Sequence, residues 1–236
     1  MKDKFERIRV IGFDADDTLW INETYFRDAE DKFTTLLEGY EAKNTSDQEL
    51  FKMEMKNLGL YGYGIKGFML SMIESAIDLS NGQISNKNLS KIIQLGKDML
   101  EHPVHLLPGV SEVLSQLQRS HRLIVLTKGD LLDQERKLRK SGLEKHFHHV
   151  EVLHEKEEGN YSKLLNQLDI DPAEFVMVGN SLKSDVLPVI ALGGQAVHIP
   201  FHTTWRHEEV GDHESENDYL TLSSISELPD YFKSSS

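Results

Sequence analysis

Near the start of the chain, three acids and a threonine stand together in Asp14-Ala15-Asp16-Asp17-Thr18. Asp14 and Asp16 are two apart, so both can project into one cleft from the end of a strand. One carboxylate in such a cleft can attack an electrophile. The other can protonate a leaving group and later deprotonate water. Carboxylates crowded this closely repel one another and resist burial. A hard cation such as Mg²⁺, which favours oxygen ligands, offsets that cost. The plainer reading of the same acids is a turn in which aspartate caps the next helix.

The acids follow an apolar run from Ile8 to Phe13, interrupted by Arg9 and Gly12, which reads as a buried parallel strand. Four further runs read as strands: Leu123 to Thr127, His149 to Leu153, Phe175 to Gly179 and Gln195 to Pro200. Between them lie helical patterns at Val110 to Leu117, Leu131 to Leu138, Tyr161 to Leu168 and Pro188 to Leu192, and a last strand or helix at Leu220 to Leu228. Strands alternating with helices predict an α/β fold with a Rossmann-like, mainly parallel sheet. Right-handed crossovers then bring the strand carboxyl ends to one edge. That edge collects more polar groups. Thr127-Lys128-Gly129-Asp130 offers a hydroxyl and exposed N–H groups, a combination that suits phosphate. Lys156 stands among glutamates past a strand end, either in a solvated loop or as a cation facing Asp14. Asn180 to Asp185 gathers polar oxygens at another strand end, with Asp185 either a ligand or a helix cap.

Residues 23 to 103 contain no convincing strand and read as four helices. Some 80 residues is too long for a single crossover. The stretch is therefore expected to be an inserted helical cap at 21–103, with 1–20 and 104–236 forming the core. Within it, Gly59 to Gly67 reads as a Gly-rich connecting loop. Tyr61, Tyr63 and Lys66 could there meet the non-reacting part of a substrate, the alternative being a flexible connector with tyrosines on the core.

Asp14-Ala15-Asp16-Asp17-Thr18, Thr127, Lys156 and Asn180 to Asp185, in this order, resemble the four motifs of the haloacid dehalogenase-like (HAD) superfamily. The resemblance implies an aspartyl-phosphate on Asp14 and a general acid/base at Asp16. It also implies phosphoryl binding by Thr127, the Lys128 backbone N–H and Lys156, and a Mg²⁺ site formed by Asp14, the Asp16 carbonyl, Asn180 and Asp185. It implies a helical cap between the first two motifs as well. Asp16 favours phosphoryl transfer over dehalogenation, because true dehalogenases of this superfamily usually lack it. Asn180 departs from the pattern, which usually has an acid there. The expected activity is Mg²⁺-dependent hydrolysis of a small phosphorylated metabolite. The alternatives are a phosphomutase, a haloacid dehalogenase and a non-catalytic phosphate-binding regulator.

Composition narrows the partners. With 39 acidic and 26 basic residues, the formal charge of −13 argues against a general nucleic-acid binder. With no cysteine there are no disulfides, no thiol chemistry and no cysteine-ligated zinc. His198, His202 and His207 lack the tight spacing of a zinc site, although His202 and Trp205, past a strand end, are placed to border an active-site mouth. The charged opening Met1 to Arg7 does not read as a signal peptide, and no apolar stretch suits a membrane helix. A cytoplasmic protein is the expectation.

Overall fold

The computed structural model describes residues 2–40, 43–209 and 218–232. Among the described residues, six parallel strands form one sheet: β1 (Val10–Phe13), β2 (Arg122–Lys128), β3 (His149–Leu153), β4 (Phe175–Gly179), β5 (Gln195–His198) and β6 (Leu220–Thr221). Their order is β3-β2-β1-β4-β5-β6. The strand carrying the first acids is thus central, flanked by the strands that carry Thr127 and Asn180.

Side chains alternate across a strand, and two cores result. Ile11, Phe13, Leu123, Val125, Val176 and Val178 pack on one face with α5 (Val110–Leu117) and the closing segment around Leu228. Val10, Ile124, Leu126, Phe175 and Met177 pack on the other with α7 (Glu158–Gln167) and α8 (Leu187–Ala191). Burial on both faces explains why these strands read as unbroken apolar runs. Gly12, the gap in the first run, has a packing reason: a Cβ there would lie 2.7 Å from Phe175 Cζ and 3.1 Å from Met177 Sδ.

The chain divides into two compact units. Residues 1–23, 104–128 and 136–236 hold the sheet, and residues 24–103 with 129–135 form the helical unit. The helical unit is built on α1 (Glu23–Leu36), α2 (Lys43–Tyr61), α3 (Ile65–Leu79) and α4 (Asn86–Glu101). Its core joins Ala29, Phe33, Leu50, Phe68, Met72 and Ile92. The expected loop from Gly59 to Gly67 is shorter than its glycines suggested. Gly59, Leu60 and Tyr61 finish α2, Ile65 to Gly67 begin α3, and only Gly62-Tyr63-Gly64 connects them. Likewise β5 ends at His198 rather than Pro200. The end of the chain supplies both a strand, β6, and a 3₁₀ helix, Ile225–Tyr231. Among the described residues, no helix is long and apolar enough to cross a membrane.

Gly12→Ala should lower stability by about 1–3 kcal/mol in denaturant unfolding, because the added methyl overpacks a filled core. An unchanged midpoint would refute the packing account of this position.

Candidate active site

The turn after β1 folds on itself. The Asp17 N–H donates to the Trp20 carbonyl at 2.7 Å, and the Leu19 N–H donates to the Ala15 carbonyl at 2.8 Å. The three acids part company here. Asp17 turns back with φ 61 and accepts from the backbone N–H groups of Asn22, at 2.8 Å, and Glu23, at 2.9 Å. It caps the start of α1, so the plain reading of these acids holds for one of them. Burial pushes its carboxyl up to about 7 against those bonds.

Asp14 takes another path. It is buried at the end of β1, and the Lys156 ammonium donates to its Oδ1. The same ammonium donates to Asp185 Oδ1 at 2.7 Å. Lys156 is only 4% exposed, so the solvated-loop reading of this residue fails. Burial alone would push its ammonium down. Asp14 and Asp185 outweigh that and raise it well above the usual lysine value, so it stays charged. Burial in turn raises the Asp14 carboxyl to about 7, with Lys156 opposing and Asp185 adding to the rise. Two carboxyls share one ammonium, and when both are ionised this buried place carries a net negative charge.

Asp185 is held from the other side as well. Its Oδ2 accepts from the Ser181 backbone N–H at 3.0 Å within the π-helical turn Leu182–Val186, a geometry common at functional sites. Gly179 makes room for it: a Cβ there would lie 2.2 Å from Asp185 Oδ2. Tyr161 Oη donates to the Ser184 carbonyl at 3.0 Å. The imidazole of His198 donates through Nε2 to the Asn180 carbonyl at 3.0 Å.

The Asn180 amide aims one of its head atoms at Thr18 Oγ1 (3.2 Å), Asp14 Oδ2 (3.3 Å) and the Asp16 carbonyl oxygen (3.3 Å). With the NH₂ in that place, it donates to these oxygens. The carboxylate and carbonyl oxygens of Asp14, Asp16 and Asp185 are the hard donors that Mg²⁺ favours. The residues therefore fit a hard cation in both donor chemistry and uncompensated charge, although Asn180 brings no charge of its own.

Thr127 is buried at the end of β2. The side chain of Lys128 turns into a network that sequence reading did not find. Its ammonium donates to Ser184 Oγ at 2.9 Å and pairs with Glu208. Glu208, in the turn Arg206–Glu208, also accepts from Ser184 Oγ at 2.6 Å and Ser181 Oγ at 2.5 Å. It therefore braces the turn that carries Asp185 against the end of β2. Burial would raise its carboxyl, but Lys128 and the two serines outweigh that and hold it at about 2. Asp16 is met by Trp20 Nε1 and by Lys137, a residue that periodicity alone marks only as one charge on a polar helix face. Tyr63 and Lys66 belong to the helical unit, where Lys66 Nζ lies 2.8 Å from Asp130 Oδ1.

The arrangement thus joins Asp14, Lys156, Asp185 and Asn180 directly, with the Asp16 carbonyl beside them and Thr127 on the neighbouring strand end. This is the set that the four-motif resemblance implies. The haloacid dehalogenase-like hydrolase family model matches residues 8–193. The chain belongs to that family. The human N-acylneuraminate-9-phosphatase is 26% identical, over 94% of this chain and 93% of its own. A haloacid dehalogenase-like family hydrolase from Xanthomonas campestris is 37% identical, with a TM-score of 0.86 over 96% of this chain and 91% of that one. The L-2-haloacid dehalogenase from Xanthobacter autotrophicus is 14% identical, with a TM-score of 0.61 over 97% of this chain and 100% of that one, a likeness of fold alone. The fold thus serves two chemistries. The curated relatives are named as phosphatases.

A carboxyl held below its unfolded-state value stabilises above that value and loses the contribution as pH falls. Glu208→Gln should therefore cost about 2–3 kcal/mol at pH 7. The difference from the unsubstituted protein should shrink as pH falls from 4.5 towards 2. Denaturant unfolding of both proteins at pH 7 and pH 3 reads this directly, and a pH-independent difference would refute the charge assignment.

Proposed function

We propose that the protein hydrolyses a small phosphomonoester with Mg²⁺ as cofactor, through a phosphoryl group carried on Asp14. The observation that carries this reading is Lys156, a buried ammonium bonded to both Asp14 and Asp185. It orients the nucleophile and places positive charge where phosphoryl oxygens would gather. Asp14, the Asp16 carbonyl, Asn180 and Asp185 are the residues that would hold Mg²⁺. When bound, the ion supplies further positive charge to those oxygens.

Asp14 attacks phosphorus, and the bond from phosphorus to the ester oxygen breaks. Asp16 gives its proton to the departing alkoxide. Asp16 then takes a proton from water, whose oxygen attacks phosphorus, and the bond to Asp14 breaks. Inorganic phosphate leaves, with Asp14 restored as a carboxylate and Asp16 as a carboxylic acid. Thr127 and the Lys128 N–H bind the phosphoryl oxygens. Acidic sugar phosphates are the first substrates to try, given the activity in the human relative's name. The cysteine-free chain suits a reducing cytoplasm.

The experiment is phosphate release from a panel of phosphomonoesters, including N-acylneuraminate 9-phosphate, with Mg²⁺ and with chelator. Release should require Mg²⁺, and Asp14→Asn should lose at least about 10³-fold in kcat with its unfolding transition retained. Near-normal turnover in that variant would refute the assignment. Release of halide from a haloacid, or interconversion of sugar-phosphate isomers, would move the protein to another reaction of the fold.

A further inference from the structure

Asp185 stands in the π-helical turn Leu182–Val186, and the groups that fasten this turn take no step in the reaction described above. Ser181 Oγ accepts from the Ser184 N–H at 3.1 Å and so caps the turn. The two serine hydroxyls then converge on one oxygen. Ser181 Oγ donates to Glu208 Oε2 at 2.5 Å, and Ser184 Oγ donates to it at 2.6 Å. The other oxygen of that carboxylate, Oε1, accepts from the Lys128 ammonium, which also donates to Ser184 Oγ at 2.9 Å. Lys128 is the last residue of β2, just ahead of α6 (Leu131–Ser141). Both serines are buried, and the side chains of Lys128 and Glu208 are 15% and 11% exposed. Water competes little for bonds in such a place, so they hold their geometry.

The fastening bears on Asp185 because of its neighbour. Asn180 brings no charge to the place where Mg²⁺ would be held, so the hold depends the more on Asp185. The direction of Asp185 depends in turn on the winding of the chain around it. The Leu187 N–H reaches back five residues to the Leu182 carbonyl, which is the π bond of the turn. A π turn holds one residue more than an α turn, so relaxation to α winding would re-aim the side chains on it. Glu208 grips the turn through Ser181, ahead of it, and through Ser184, next to Asp185. We infer that Glu208 is a positioning residue that sets the affinity of the site for Mg²⁺, acting on Asp185 through the two serines. The inference rests on the assignment of Asp185 as a Mg²⁺ ligand. Partners that orient a metal ligand are worth about 10–100-fold in metal affinity. Loss of the Glu208 charge would also weaken the binding of any cation through space. Loss of the Ser184 hydroxyl removes a bond and no charge, so it separates position from charge.

The test is isothermal titration of MgCl₂ into the full-length protein without substrate, at a temperature well below the unfolding transition of each variant. Glu208→Gln should raise the Kd for Mg²⁺ by about 10-fold or more. Ser184→Ala should raise it by about fivefold, the worth of one hydrogen bond. It also decides the matter by itself if Glu208→Gln does not fold. An unchanged Kd in Glu208→Gln would overturn the inference, because Glu208 would then support the fold and nothing more. An unchanged Kd in Ser184→Ala would overturn it too, because any effect of Glu208 would then be one of net charge. Asp185→Asn in the same titration checks the underlying assignment separately and should abolish binding. If Asp185→Asn binds Mg²⁺ as before, or the unsubstituted protein takes up none, the metal reading itself has failed and this inference falls with it.

Discussion

One buried ammonium organises the site. Lys156 reaches Asp14 at the end of β1 and Asp185 in the turn after β4, strands that are neighbours in the sheet. Removing one partner of a buried ion pair costs about 3–5 kcal/mol, because the other charge is left without compensation. Here three groups depend on each other, and the two carboxylates outnumber the cation. The charge left over makes the place receptive to a further cation and, with it, to the oxygens of a phosphoryl group. Gly179 lets the Asp185 carboxylate lie against the strand end, and the Ser181 N–H holds its second oxygen.

Around this centre lies a second tier of charge that steadies the first. Glu208 ties Lys128 to the serines of the Asp185 turn, and Lys137 ties Asp16 to Asn22. Each joins segments far apart in sequence, and each is largely shielded from water, where an ion pair counts for more than on the surface. The parallel sheet makes this possible by bringing the ends of β1, β2 and β4 side by side. Groups in three separate stretches of chain then meet over a few ångströms.

The sheet and the acids were legible in the sequence because burial on both faces leaves uninterrupted apolar runs, and each run ends in polar residues that have no reason to be buried unless they react or bind. Lys156 was legible because it follows a strand end. Glu208 and Lys137 were not legible. Both lie in polar stretches with no spacing to mark them, and their partners stand 24 to 121 positions away. Asp17 shows the converse, an acid inside the reactive-looking cluster whose work is to cap a helix. The loop at Gly59 to Gly67 was overread because glycine content is a weak guide to helix ends: α2 runs through Gly59 and α3 through Gly67. Asn180 carried the clearest departure from the family pattern, and the structure places its amide against the Asp14 carboxylate and the Asp16 carbonyl, where an acid would have stood.

The central claim is that Asp14 carries the phosphoryl group. The stereochemical course at phosphorus tests it most directly, using a substrate whose transferred phosphoryl group is made chiral with oxygen isotopes. Two successive in-line displacements, first by Asp14 and then by water, predict overall retention of configuration. Inversion would mean a single attack by water, and would contradict the account of Asp14 as nucleophile.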